Sequence, residues 1–149
     1  MKNKETKNKL INHIMINGEK KTSENILFKS IKTLQKNSKK QLKQIMQLAI
    51  INSTPTFKLH QIRNKKKKKR NQKVREIPAF ISKVTARTSI AIKLILSSIE
   101  KKKSKKFYKK LNQKLFLTAQ SKSNTINLKN TLQKHVILKK HFFKYYRWK

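Results

Sequence analysis

The chain has no cysteine, one glycine and two prolines among its 149 residues. Without cysteine there is neither a disulfide framework nor a thiolate metal site. A single glycine, Gly18, cannot build a phosphate-cradling loop, which needs several glycines at fixed offsets. Acids are nearly as scarce: Glu5, Glu19, Glu24, Glu76 and Glu100 are scattered, so no neighbouring carboxylates are available for acid/base work or a divalent cation. The four histidines, His13, His60, His135 and His141, have no metal-binding spacing, and no Ser or Thr has a His-plus-acid partner pattern. No apolar run approaches the roughly 20 residues of a membrane span. These absences predict no catalytic residue, metal, cofactor or small-molecule substrate, and they exclude membrane insertion while leaving surface attachment open. A membrane partner is not expected, because the short helices' apolar faces are better used for a shared core.

What the chain has is positive charge. Lysine and arginine number 41 against five acids, a formal net charge of +36. Such a charge opposes compaction by self-repulsion, and a polyanion that neutralises it would relieve the cost. Only five of the basic residues are arginine, namely Arg63, Arg70, Arg75, Arg87 and Arg147. Lysine, asparagine and isoleucine, all specified by A/T-rich codons, are prominent, which points to an A/T-biased genome such as that of an organelle or a reduced bacterium.

The length suits one domain, and the apolar residues repeat mainly at helical spacing. Leu10, Ile11, Ile14 and Met15 predict a first helix starting about nine residues from Met1, closed at Asn17-Gly18 by a residue able to take positive φ. Thr22 or Ser23 is expected to cap a second helix with Ile26, Leu27, Ile31 and Leu34 inward. A third spans about Lys40 to Ile51 and stops before Pro55. From Thr56 the period falls to two, through Phe57, Leu59 and Gln61, and again from Val74 to Ile81. This predicts a β-hairpin arm over about 56–82. Helical spacing returns with Ile90, Leu94, Ile95 and Ile99, then Phe107, Leu111, Leu115 and Ala119. Ser121 to Asn127 reads as a polar loop, and Leu132, Val136, Ile137 and Phe143 mark the last helix. The predicted fold is mainly α: a single domain over 1–149 of about six helices, with a basic hairpin inserted between the third and fourth.

Ten basic residues and no acid lie between Lys58 and Arg75. A segment so charged cannot pack on a core, so the hairpin is expected to protrude toward a phosphate-rich surface. The ending Tyr145-Tyr146-Arg147-Trp148 offers aromatic faces and a guanidinium fork, suited either to packing at a helix end or to unstacked bases and phosphates. The pattern alone reads as an RNA- or DNA-binding protein, the DNA version being a nucleoid-type protein that grips a duplex with its arm.

The order of motifs resembles small-subunit ribosomal protein seven. Lys9 to Gly18, K-L-I-N-H-I-M-I-N-G, followed by Lys20-Lys21 and Thr22-Ser23-Glu24, is similar to that family's opening. Ala49 to Pro55, A-I-I-N-S-T-P, resembles its A-x-x-N-x-x-P. Phe57 to Arg63 and Glu76-Ile77-Pro78 match the hairpin strands; Arg87 to Ile95 resembles R-x-x-A-L-A-x-R-W-I, with Leu94 in place of Trp, and Phe143 to Trp148 resembles F-A-H-Y-R-W. Three features depart from the pattern. The segment before the first helix is short, the glycine pair of the hairpin turn is replaced by a longer lysine-rich connection, and Lys101 to Asn130 matches in pattern only and carries no residue roles.

The resemblance implies a structural constituent of the small ribosomal subunit. Such a protein binds the 3′ major domain of the small-subunit rRNA, nucleates head assembly beside head and platform proteins, and directs its hairpin toward exit-site tRNA and mRNA. Expected rRNA contacts are Lys20 and Lys21 at the second helix, then Arg63, Lys65, Lys66, Lys67, Lys68, Lys69, Arg70, Lys73 and Arg75 on the hairpin. Arg87 and Lys93 on the fourth helix follow, with Tyr146, Arg147 and Trp148 at the C-terminus. Glu76 is expected to be salt-bridged locally. The nearness of the first matched helix to Met1 leaves no room for a removable presequence, so with the A/T-rich composition translation inside an organelle is expected. Mitochondrion stands ahead of plastid because the Arg147-Trp148 ending is kept, with a reduced bacterium as the alternative.

Overall fold

The computed structural model describes residues 3–37, 42–63, 74–99 and 107–145. Among them are six α-helices: α1 (Asn3–Ile14), α2 (Lys20–Asn37), α3 (Leu42–Ser53), α4 (Val84–Ser97), α5 (Phe107–Ala119) and α6 (Asn124–Leu138). The antiparallel strands β1 (Phe57–Arg63) and β2 (Val74–Phe80) lie between α3 and α4, and a 3₁₀ segment, Lys140–Tyr145, follows α6. The mainly α architecture with an inserted hairpin is as the periodicity predicts.

One core is shared by α1 to α5. Leu10, Ile11 and Ile14 of α1 join Leu27 and Leu34 of α2, Ile45 and Ala49 of α3, Ile92 and Ile95 of α4, and Leu111 and Leu115 of α5. α4 packs on α1, α3, α5 and α6, which makes it the central helix that its apolar circumference predicts. Its rotation differs from expectation, since Thr88, Ala91, Ile92, Ile95 and Ile99 form the buried stripe while Ile90 and Leu94 are half-buried. Either stripe satisfies a 3.6-residue period. Thr88 favours the observed one, because its hydroxyl donates to the Thr85 carbonyl at 2.8 Å and lies 3.3 Å from Lys9 Nζ, so the buried polar group is satisfied.

Local chemistry accounts for the other differences. α1 starts at Asn3, before its apolar stripe, with Glu5 in its first turn and paired to Lys9 at 3.1 Å. The α1–α2 turn places both Asn17 (φ 53°) and Gly18 (φ 78°) in the left-handed region. A Cβ on Gly18 would meet no atom within 4 Å, so the need for glycine there is conformational. α2 then starts at Lys20, ahead of the predicted caps: the Thr22 and Ser23 hydroxyls donate back to the Glu19 and Lys20 carbonyls, each at 2.7 Å. The predicted loop from Ser121 to Asn127 is shorter, because Ser123 accepts from the Thr125 amide and starts α6 at Asn124. Ile137, expected inward, is 64% exposed.

Candidate nucleic-acid interface

The hairpin pairs in register from Phe57 opposite Phe80 to Arg63 opposite Val74. Pro78 fits because both strands of a two-stranded ribbon are edges. The base is fixed from three directions. The Phe57 ring meets Phe80 edge-on at 5.7 Å and Phe143 of the 3₁₀ segment at 5.5 Å. Glu76 accepts from Lys139 just past α6 and from the cross-strand Gln61 amide. Its carboxyl is held below the usual range, first by the hydrogen bond from Lys139, then by that from Gln61 and by the Lys139 charge. Glu76 is therefore a structural residue as expected, but its cation lies 63 residues away rather than locally. Finally, Arg87 Nε donates to the Ile81 carbonyl at 2.5 Å, with its guanidinium 4.9 Å from the Phe80 ring centroid.

From this anchored base the strands carry the chain outward to the basic positions. Lys58 and His60 are exposed, and Arg63 and Arg75 stand in the last two rungs. Lys65 to Lys69, Arg70 and Lys73 lie outside the described residues, as do Tyr146, Arg147 and Trp148. Contact between Phe143 and Phe57 brings the 3₁₀ segment that follows α6 to the hairpin base, across 86 residues of sequence.

A second basic region surrounds the α1–α2 turn. Lys9 Nζ reaches Thr85 and Thr88, and His13 Nε2 lies 2.6 Å from Ser89 Oγ, so α1 and α4 run side by side in the same direction. Lys93, exposed one turn beyond Ser89, consequently lies toward the same end as the turn leading to Lys20 and Lys21. Its charge is felt by His13, whose pKa is lowered by burial first and by Lys93 second. Lys20 and Lys21 are exposed, and Lys20 is 4.0 Å from Glu24 in a largely solvated pair. Among the predicted contacts whose side chains are described, Arg87 is the exception, being half-buried and engaged with the hairpin base.

Asn52 was legible as a motif position without a role. Its amide Nδ2 donates to the Thr118 and Ala119 carbonyls, both at 3.1 Å, at the end of α5. Here Lys122 N–H bonds Leu117 O and Ser121 N–H bonds Thr118 O, with Ser121 at φ 61°. This is a Schellman cap with serine in the place that usually holds glycine. Asn52 thus supplies the donors that the C-terminus of α5 needs, while Lys129 donates to the Asn52 carbonyl at 2.9 Å. No pattern in the sequence indicates a contact across 66 residues.

The described acids are all occupied: Glu5 with Lys9, Glu24 with Lys20, Glu76 with Lys139, and Glu19 with the Thr22 hydroxyl at 3.1 Å. The surrounding lysines therefore face solvent largely uncompensated. Among the described residues no group of three metal-ligating side chains gathers, and no helix is long and apolar enough to cross a membrane. The model of the family described as ribosomal protein S7p/S5e matches residues 1–138. The chain belongs to this family. A curated relative, small ribosomal subunit protein uS7c of Tetradesmus obliquus, is 24% identical over 125 residues, covering 84% of this chain and 71% of that protein. Membership supports a structural role in the small ribosomal subunit, in a family that is not an enzyme class.

Proposed function

We propose that this S7-family chain acts as one rRNA-binding unit that holds the 3′ major domain of the small-subunit rRNA, nucleates head assembly beside head and platform proteins, and sends its hairpin toward exit-site tRNA and mRNA. The observation that carries the reading is a rigidly anchored hairpin whose strands lead into the longest acid-free basic run of the chain. Lys20, Lys21, Arg63, Lys65 to Lys69, Arg70, Lys73, Arg75 and Lys93 are its phosphate contacts, joined by Arg147 with Tyr146 and Trp148. Arg87 contributes mainly by fixing the hairpin to α4. Because lysine predominates, recognition is of backbone and shape more than of base identity. Each phosphate contact adds roughly 0.7 to 0.9 to the slope of log affinity against log salt.

The ribosome is that of an organelle on this reading. The lysine–asparagine–isoleucine composition supports an A/T-rich organellar genome without separating the two organelles, the Arg147-Trp148 ending supports the mitochondrion, and the uS7c relative supports the plastid as much. A reassigned stop codon specifying Trp148 would favour the mitochondrion over the plastid. The binding reading itself is tested by co-sedimentation with small subunits. Association should be abolished by RNase and survive DNase, and the reverse sensitivity would overturn the proposal in favour of a DNA-binding protein.

A further inference from the structure

Away from the hairpin, α2 and α5 enclose a cleft of about 490 Å³ lined by Thr33, Leu34, Lys109, Asn112, Gln113 and Phe116. At Thr33 it meets a second hollow of about 300 Å³, lined also by Lys29, Lys32, Lys36 and Tyr108. Lys29, Lys32 and Lys36 follow the i, i+3, i+7 spacing that sets three side chains on one helix face, and all are exposed. Lys109 stands exposed on α5. None of the described glutamates lines either hollow. The cleft is thus apolar within, through Leu34 and Phe116, and cationic at its rims.

The floor contains one further feature. Asn112 is only 8% exposed, and its Nδ2 donates to Thr33 Oγ1 at 2.7 Å. The Thr33 hydroxyl donates in turn to the Ser30 carbonyl at 2.8 Å. The Asn112 side-chain oxygen has no protein donor among the described residues. A buried amide acceptor calls for a donor, which an apolar or carboxylate side chain cannot provide. A nucleobase provides both an N–H edge for Asn112 and a flat face for Phe116 or Tyr108, while its phosphates suit the lysines.

We propose that the α2–α5 cleft binds an unpaired nucleotide of a single-stranded RNA segment, with the base in the cleft and the flanking phosphates on Lys29, Lys32, Lys36 and Lys109. The choice of RNA rests on the rRNA-binding reading above; the cleft and its orphaned acceptor do not. The site lies within and beside the region for which sequence resemblance implies no residue role.

The test uses the full chain at physiological salt and a short oligoribonucleotide carrying one 4-thiouridine. Irradiation should attach the probe within α5, and Asn112→Leu and Lys109→Glu should each lower that yield by about tenfold while labelling elsewhere is unchanged. The same strand in a duplex should leave α5 unlabelled. Lys109 is exposed, so Lys109→Glu decides the matter if Asn112→Leu does not retain wild-type circular dichroism. Equal labelling by the duplex, indifference to Lys109→Glu, or selective clearance of the α5 label by polyglutamate would overturn the proposal. Labelling of other segments without α5 would sink the cleft alone; no labelling anywhere would sink the RNA-binding reading with it.

Discussion

His13 lies in the last turn of α1, half-buried against Ser89 and under the charge of Lys93. Burial and Lys93 both disfavour the imidazolium, so the folded chain binds its proton less readily than the unfolded chain, whose histidine titrates near 6.5. Stability should therefore be unaffected by His13 well above pH 6.5, fall as pH drops through 6.5, and level off below the lowered folded value. Urea midpoints of wild type and His13→Gln across this range isolate the effect, since the other histidines cancel in the difference. A wild-type-minus-variant difference that stays flat from pH 8 to pH 5 would show that His13 is not held neutral. At Asn52 the consequence is mechanical. Asn52→Ala removes the donors to Thr118 and Ala119 and should cost about 1–2 kcal/mol, read from the thermal midpoint. Neither role could be read from sequence, because each depends on a partner more than sixty residues away.

Elements were more legible than residues because hydrophobic period and breakers are local. Pro55, Gly18 and the switch from helical to alternating spacing locate α3, the first turn and the hairpin. Rotation about an axis is less legible: α4 is apolar nearly all round, and a hydroxyl and its neighbours selected the buried face. Attachment of elements was hidden altogether, as the Glu76–Lys139 pair illustrates by joining β2 to the end of α6. The lowered pKa of Glu76 means that this pair stabilises the fold above the unfolded value near 4.5 and is lost as pH falls through the folded value. Glu76→Gln should lower the melting temperature at neutral pH, and its deficit should vanish in acid. Lys139→Met should reproduce the loss, and the double variant should be no worse than the more affected single one. Full additivity would mean that the two residues act separately.

At the scale of the whole molecule the governing fact is +36. The described glutamates are already engaged, so among the described residues no free carboxylate offsets the lysines on the helix faces. Opposing this repulsion is one core of buried leucine, isoleucine and alanine shared by five helices. Salt sets the balance between them: screening reaches about 30 Å at 0.01 M but only about 8 Å at 0.15 M, so at low salt lysines on opposite sides of the chain repel through solvent. Burial of the apolar core changes little over that interval, whereas the repulsion changes greatly. The isolated chain should consequently show weak, poorly cooperative helical signal at 10 mM salt, gain helicity and melting temperature as salt rises, and gain more from RNA than from an equal ionic strength of simple salt. RNA both screens and binds, and binding to the folded state alone adds stability by mass action. Circular dichroism melts across a salt series, with and without a small-subunit rRNA fragment, decide the point. A sharp RNA-independent melt at 10 mM salt, unchanged at 150 mM, would mean that the core outweighs the charge by itself.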